Sequence, residues 1–243
     1  MKAHSEIVGG QEVTNEVFAK HIIGIHNDQR GYTCTGTLID SNTILTAGHC
    51  FMGPASDHTV FFTKSDYFHS TKYAKIVNYK IHPGFNISVW TNRNDVAIAR
   101  FEGPLPAGYA SINLPTADAI HNINGGFFAT GYGATTARRG VADDGAGILR
   151  YTTMKLSEQN LTETQNQFDV DQSDGHGVCF GDSGGPAFIK YGDQRYIIGI
   201  ASAVYSKDEA AKQQPDYDVC RYHSLYTAVF PYEDWIHTTA AGL

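Results

Sequence analysis

Short runs rich in β-branched and aromatic residues, each closed by Gly, Asn, Asp or Pro, recur along the whole chain and restrict it to an all-β fold. They are Phe18 to Ile25, Gly36 to Ile39, Val60 to Thr63, Tyr73 to Ile81 and Val96 to Phe101, then Gly126 to Thr130, Gly185 to Ile189, Tyr196 to Ser202 and Leu225 to Phe230. Such side chains fit the pleated, half-buried surface of a strand. Many short strands separated by turn signals suggest sandwiches or barrels. A helix is expected at the end alone, over Pro231 to Ala240, with Pro231 in its first turn.

Length and charge bound the function. The 243 residues suit one or two compact domains, and 42% hydrophobic against 18% charged residues describe a globular chain, not a disordered one. A net charge of -7 argues against nucleic-acid binding, which calls for a basic patch. No stretch is long and apolar enough to span a bilayer as a helix, so no membrane partner is expected. Residues Met1 to Glu6 lack an apolar segment and do not form an intact signal peptide. The four cysteines, Cys34, Cys50, Cys179 and Cys220, allow three pairings and show no zinc-ligand spacing. On spacing alone, buried thiols and two disulfides stay equally open.

Four motifs then occur in order: Ile7-Val8-Gly9-Gly10, Thr46-Ala47-Gly48-His49-Cys50, Asn94-Asp95-Val96-Ala97-Ile98 and Gly181-Asp182-Ser183-Gly184-Gly185-Pro186. A serine hydroxyl is a poor nucleophile at neutral pH unless a base takes its proton during attack, and histidine titrates in the right range. A carboxylate beside that histidine fixes its tautomer, and glycines around the serine permit a tight turn whose amides face a developing oxyanion.

With Ile112-Asn113-Leu114-Pro115 and Gly131-Tyr132-Gly133 between them, these motifs resemble the chymotrypsin family of serine endopeptidases from Ile7 to about Trp235. The resemblance implies two antiparallel six-stranded Greek-key β-barrels with a C-terminal α-helix. Residues 1–6 would be an activation peptide or a remnant, 7–110 the first barrel, and 111–243 the second barrel and helix. It implies the family's established mechanism: Ser183 as nucleophile, His49 as base and acid, Asp95 as orienter, and the Gly181 and Ser183 amides as oxyanion hole. It pairs Cys34 with Cys50 and Cys179 with Cys220, and these bridges point to secretion. Cleavage after Glu6 would free the Ile7 amine to pair with Asp182, making the chain a zymogen.

Specificity follows the same resemblance. Gly177 stands at the pocket base where a trypsin-like enzyme carries Asp, so cleavage after Lys or Arg is not expected. Val178, Phe180, Ser202, Val204 and Ser224 complete the expected pocket, with Val204 narrowing it toward small or medium apolar P1 residues, as in elastase-like members. Two alternatives stay open: an aromatic P1 if Val204 points away, and a Glu P1 held by His176, His223 and Ser224. Expected partners are protein or peptide substrates and protein inhibitors of proteases, for a monomer without metal or cofactor. Rival functions are a non-catalytic binding homologue, and an esterase or acyltransferase using the same triad.

Overall fold

The structure, a computed structural model, describes residues 7–14, 16–123, 125–141, 145–156 and 161–243. A short edge strand, β1 (Gln11–Glu12), and a helical turn, α1 (Glu16–Ala19), lead into β2 (Ile22–Asn27), β3 (Thr33–Leu38), β4 (Thr43–Thr46), β5 (His58–Phe61), β6 (Tyr73–Ile81) and β7 (Ala97–Phe101). The last six close into an antiparallel barrel in the order β2-β3-β4-β7-β6-β5. Ile23, Ile25, Leu38, Ile44, Leu45, Val60 and Ile98 fill it and are essentially inaccessible. Each such side chain contributes about 1.5–3 kcal/mol by leaving water. All four residues of β4 are buried, whereas β6 keeps much of its length exposed. Phe188, Ile197, Ile200 and Val229 from the second half extend this same core, so the two halves share one apolar contact.

The second half begins with α2 (Ala117–His121), which Thr116 caps by accepting from the Ala119 amide. It continues with β8 (Gly126–Gly131), β9 (Arg150–Lys155), β10 (Gln167–Asp171), β11 (Pro186–Tyr191), β12 (Gln194–Tyr205), β13 (His223–Ala228) and α3 (Glu233–Gly242). The all-β class with a C-terminal helix is as expected. Its second sheet has seven strands, in the order β1-β9-β8-β11-β12-β13-β10, because Gln11 and Glu12 pair with Tyr151 and Arg150 at its edge. Its largely aliphatic core holds an aromatic cluster: Phe168 stacks on Tyr226 at 5.1 Å, and Phe127 meets Tyr226 edge-on at 5.3 Å.

The crossing between halves is irregular but anchored at both ends. Ile112 donates its amide to Leu38 in the closed barrel, and Asn113 accepts from the Ile197 amide in the seven-stranded sheet. Both disulfides form in the pairing the resemblance implied, Cys34–Cys50 and Cys179–Cys220. Among the described residues, no helix is long and apolar enough to cross a membrane.

Candidate active site

His49 sits in a single 3-10 turn, Gly48–Cys50, directly after β4, and the Cys34–Cys50 bridge ties that turn to β3. Asp95 lies just before β7 and is fully buried. Its Oδ2 accepts from His49 Nδ1 at 2.7 Å and from the Ser202 hydroxyl at 2.6 Å, while Oδ1 accepts from the His49 amide at 2.9 Å. Burial pushes the Asp95 carboxyl upward, but the bonds from His49 and Ser202 outweigh it and hold the group below its ordinary value. With Nδ1 donating to the carboxylate, Nε2 is the nitrogen left to act as base.

The second half clasps Asp95 and its neighbour Asn94. Ser202 belongs to β12, and Thr227 of β13 donates its hydroxyl to the Asp95 carbonyl at 3.1 Å. Tyr232 donates its phenol to Asn94 Oδ1 at 2.8 Å.

Ser183 occupies the turn before β11. Gly181 and Gly184 take φ of +98° and +82°, in the left-handed region that glycine alone enters freely. The Gly185 amide closes the turn onto the Asp182 carbonyl at 2.8 Å. His49 and Ser183 line one cavity of about 210 Å³. Among the described residues no hydrogen bond joins the two side chains, a common resting geometry that tightens once substrate is bound.

The Ala134 amide donates to the Phe180 carbonyl at 2.7 Å. In a planar trans peptide the next N–H points the opposite way, so the Gly181 amide is turned from that contact. Among the described residues, neither the Gly181 nor the Ser183 amide is taken by an acceptor. Two free backbone donors in the turn that carries a serine can stabilise an oxyanion.

The same cavity is lined by Val178, Phe180, Ser202 and Val204, together with Cys179, Ala201 and Ala203. Phe180 is 61% exposed at its rim. Gly177 and Ser224 lie outside that lining. A Cβ at Gly177 would fall 2.3 Å from the Gln172 side chain, so that glycine makes room for a buried amide. Gln172 donates to the Val178 and Cys220 carbonyls at 3.1 and 2.9 Å and accepts from the Val178 amide at 2.8 Å. It stiffens the pocket wall, and no motif in the sequence marked it. Ser224 is fully buried opposite Val204 across the β12–β13 pairing. Of the two histidines considered for a Glu pocket, His176 bonds Thr152 and His223 bonds Asp169 at 3.0 Å, and neither lines the cavity.

Ile7 and Val8 are fully buried, and the Val8 carbonyl accepts from the Gly177 amide at 2.9 Å. The buried Asp182 carboxylate accepts from the amides of Gly133 and Cys179, each at 2.8 Å. The expected cleavage point after Glu6 lies outside the described residues. Among the described residues, Cys34, His49 and Cys50 form a cluster of metal-ligand types, but both sulfurs are spent in the disulfide.

The Trypsin family model matches residues 7–236. The chain belongs to the trypsin family. Relatives similar to this trypsin-family protein include the trypsin of Phaedon cochleariae, 27% identical over 96% of this chain and 87% of the relative. Chymotrypsin-like elastase family member 1 of Homo sapiens is 25% identical over 99% of this chain and 95% of the relative. CLIP domain-containing serine protease B4 of Anopheles gambiae is 26% identical over 86% of this chain, which spans 62% of that relative. This trypsin-family chain is a serine protease of the chymotrypsin type.

Proposed function

We propose that this protease hydrolyses peptide bonds through an acyl-enzyme on Ser183, with His49 as base and then acid, Asp95 as orienter, and the Gly181 and Ser183 amides holding the oxyanion. One observation carries the reading: the His49–Asp95–Ser202 chain of hydrogen bonds enters the cavity that holds Ser183. The barrels divide near residues 110 and 111. The protein is secreted as a zymogen and activated by cleavage after Glu6, which frees Ile7 to pair with Asp182. It works as a monomer on protein or peptide substrates and is open to protein inhibitors. Intact mass after fluorophosphonate treatment tests this, before and after residues 1–6 are removed. One adduct on Ser183, formed only once Ile7 is free, is the expected outcome. No adduct on the trimmed protein would hand the fold to a non-catalytic binding role.

The P1 preference is for small or medium apolar side chains. A cavity of about 210 Å³ with Val178 and Val204 on its walls offers, among the described residues, no Asp, Glu, Lys or Arg side chain to pair with a charged P1 residue. Each methylene mismatch in such a pocket is worth about 1–3 kcal/mol. Replacing Val204 with Gly deepens the slot, and the Phe-to-Val ratio of kcat/KM in a P1 peptide panel rises by roughly 10- to 100-fold. An unchanged ratio would place the specificity determinant elsewhere.

A further inference from the structure

Thr35, on β3, reaches across the interface between the halves to the turn that carries Ser183. Its side chain is fully buried. The hydroxyl donates to the Gly181 carbonyl at 3.0 Å and accepts from the Tyr132 amide at 3.1 Å. The Thr35 amide donates to the Ser183 carbonyl at 2.8 Å, and its own carbonyl accepts from the Thr46 hydroxyl at 2.9 Å. The residue thus grips the nucleophile turn at both Gly181 and Ser183, and it is itself held from β4.

Gly181 is fixed from two directions. The Ala134 amide sets the peptide before it by holding the Phe180 carbonyl, and the Thr35 hydroxyl sets the peptide after it by holding its own carbonyl. With φ at +98°, Gly181 has no side chain to limit rotation of either peptide. Without the Thr35 bond, the Gly181 carbonyl loses its partner from β3, and the Gly181–Asp182 peptide is drawn to tilt toward another donor. Because that peptide and the Phe180–Gly181 peptide share the Gly181 Cα, the tilt displaces the Gly181 N–H, whose value to catalysis depends on meeting the oxyanion at hydrogen-bond distance.

We propose that Thr35 is a positioning residue for the oxyanion hole, acting through its side-chain hydroxyl on Gly181. The inference rests on the reading of Ser183 and Gly181 given above. Thr35→Val keeps the shape and removes the hydroxyl, and Thr35→Ser keeps the hydroxyl and removes the methyl.

The test measures kcat and KM per active site in trimmed protein, with sites counted by the end-point of fluorophosphonate labelling. Thr35→Val should lose about 10- to 100-fold in kcat with KM nearly unchanged, less than the loss of about 10² to 10³ for deleting a donor outright. Thr35→Ser should stay within about threefold of wild type. A peptide aldehyde, which adds to Ser183 and places an oxyanion in the hole, should weaken in step with kcat, while a product peptide should bind as before. If Thr35→Val is recovered unfolded, Thr35→Ala supplies the hydroxyl-free measurement.

Hydroxyl-free variants with wild-type kcat per labelled site would overturn the proposal, whatever their melting temperature. So would a Thr35→Ser protein that loses as much kcat as Thr35→Val. A wild-type protein that labels and turns over no substrate would instead defeat the reading of the site itself.

Discussion

Replacing Asp95 with Asn leaves a folded protein whose kcat falls by about 10⁴, the scale already established for this change in the family and adopted here. One carboxylate oxygen of Asp95 accepts from both His49 and Ser202. An amide turned N–H-first faces two donors, so the imidazole gives up the Nδ1–H tautomer and presents a proton to Ser183 in place of a lone pair. Because ground-state binding is untouched, KM stays nearly constant while kcat drops. A variant within tenfold of wild type would remove Asp95 from the mechanism.

Asp95 also sets an acid limit. Burial alone would raise its carboxyl, yet the bonds from His49 and Ser202 hold it below the ordinary value of 3.8. A carboxyl depressed in the folded state binds protons more readily when unfolded. Its stabilisation is therefore complete well above 3.8 and is lost as pH falls through the folded value. The gap in urea midpoint between wild type and Asp95→Asn should be flat from neutrality to about pH 5 and close at lower pH.

Gly184→Ala should be the more damaging change to the fold. A Cβ there would lie 1.9 Å from Thr46 Oγ1 and 2.4 Å from the Thr35 carbonyl oxygen, at a φ of +82°. The backbone atom cannot rotate aside as a flexible side chain would. Strain at the left-handed φ and overpacking each cost about 1–3 kcal/mol, so a loss on the order of 3 kcal/mol or more is expected in chemical denaturation. A variant with the wild-type midpoint would mean that this turn has room the geometry does not show.

The candidate site was the most legible part of the sequence. His49, Asp95 and Ser183 stand in contiguous motifs, and the fold brings the first two into contact and the third into the same cavity. The strand runs were also readable, although β12 extends beyond its expected span to Gln194 and Tyr205. Its start is set by a tight turn at Gly192 and Asp193, with Gly192 at φ +60°, and turn chemistry fixed that boundary where apolar pattern did not. Strands β4, β9 and β10 escaped notice because they are short or carry polar residues such as Arg150 and Gln167, whose pairing comes from distant strands. Thr35 and Gln172 were invisible for another reason. Each is one ordinary polar residue whose role comes from partners far along the chain: Thr35 from Tyr132 and Gly181, Gln172 from Cys220. Of the expected pocket residues, Val178, Phe180, Ser202 and Val204 stand in the lining, whereas Gly177 and Ser224, placed by counting along the chain, lie outside it.

The assembly of one site from both halves has a consequence for the cell that makes the protein. When a ribosome has released the first barrel, His49 and Asp95 exist, but Ser183 does not, nor do Ser202 and Thr227, whose hydroxyls hold Asp95 in place. On the proposed assignment of Ser183, a chain abandoned at that stage lacks its nucleophile and cannot attack its neighbours. Hydrolytic danger thus arrives late in translation, and the order of residues along the chain is itself a first safeguard.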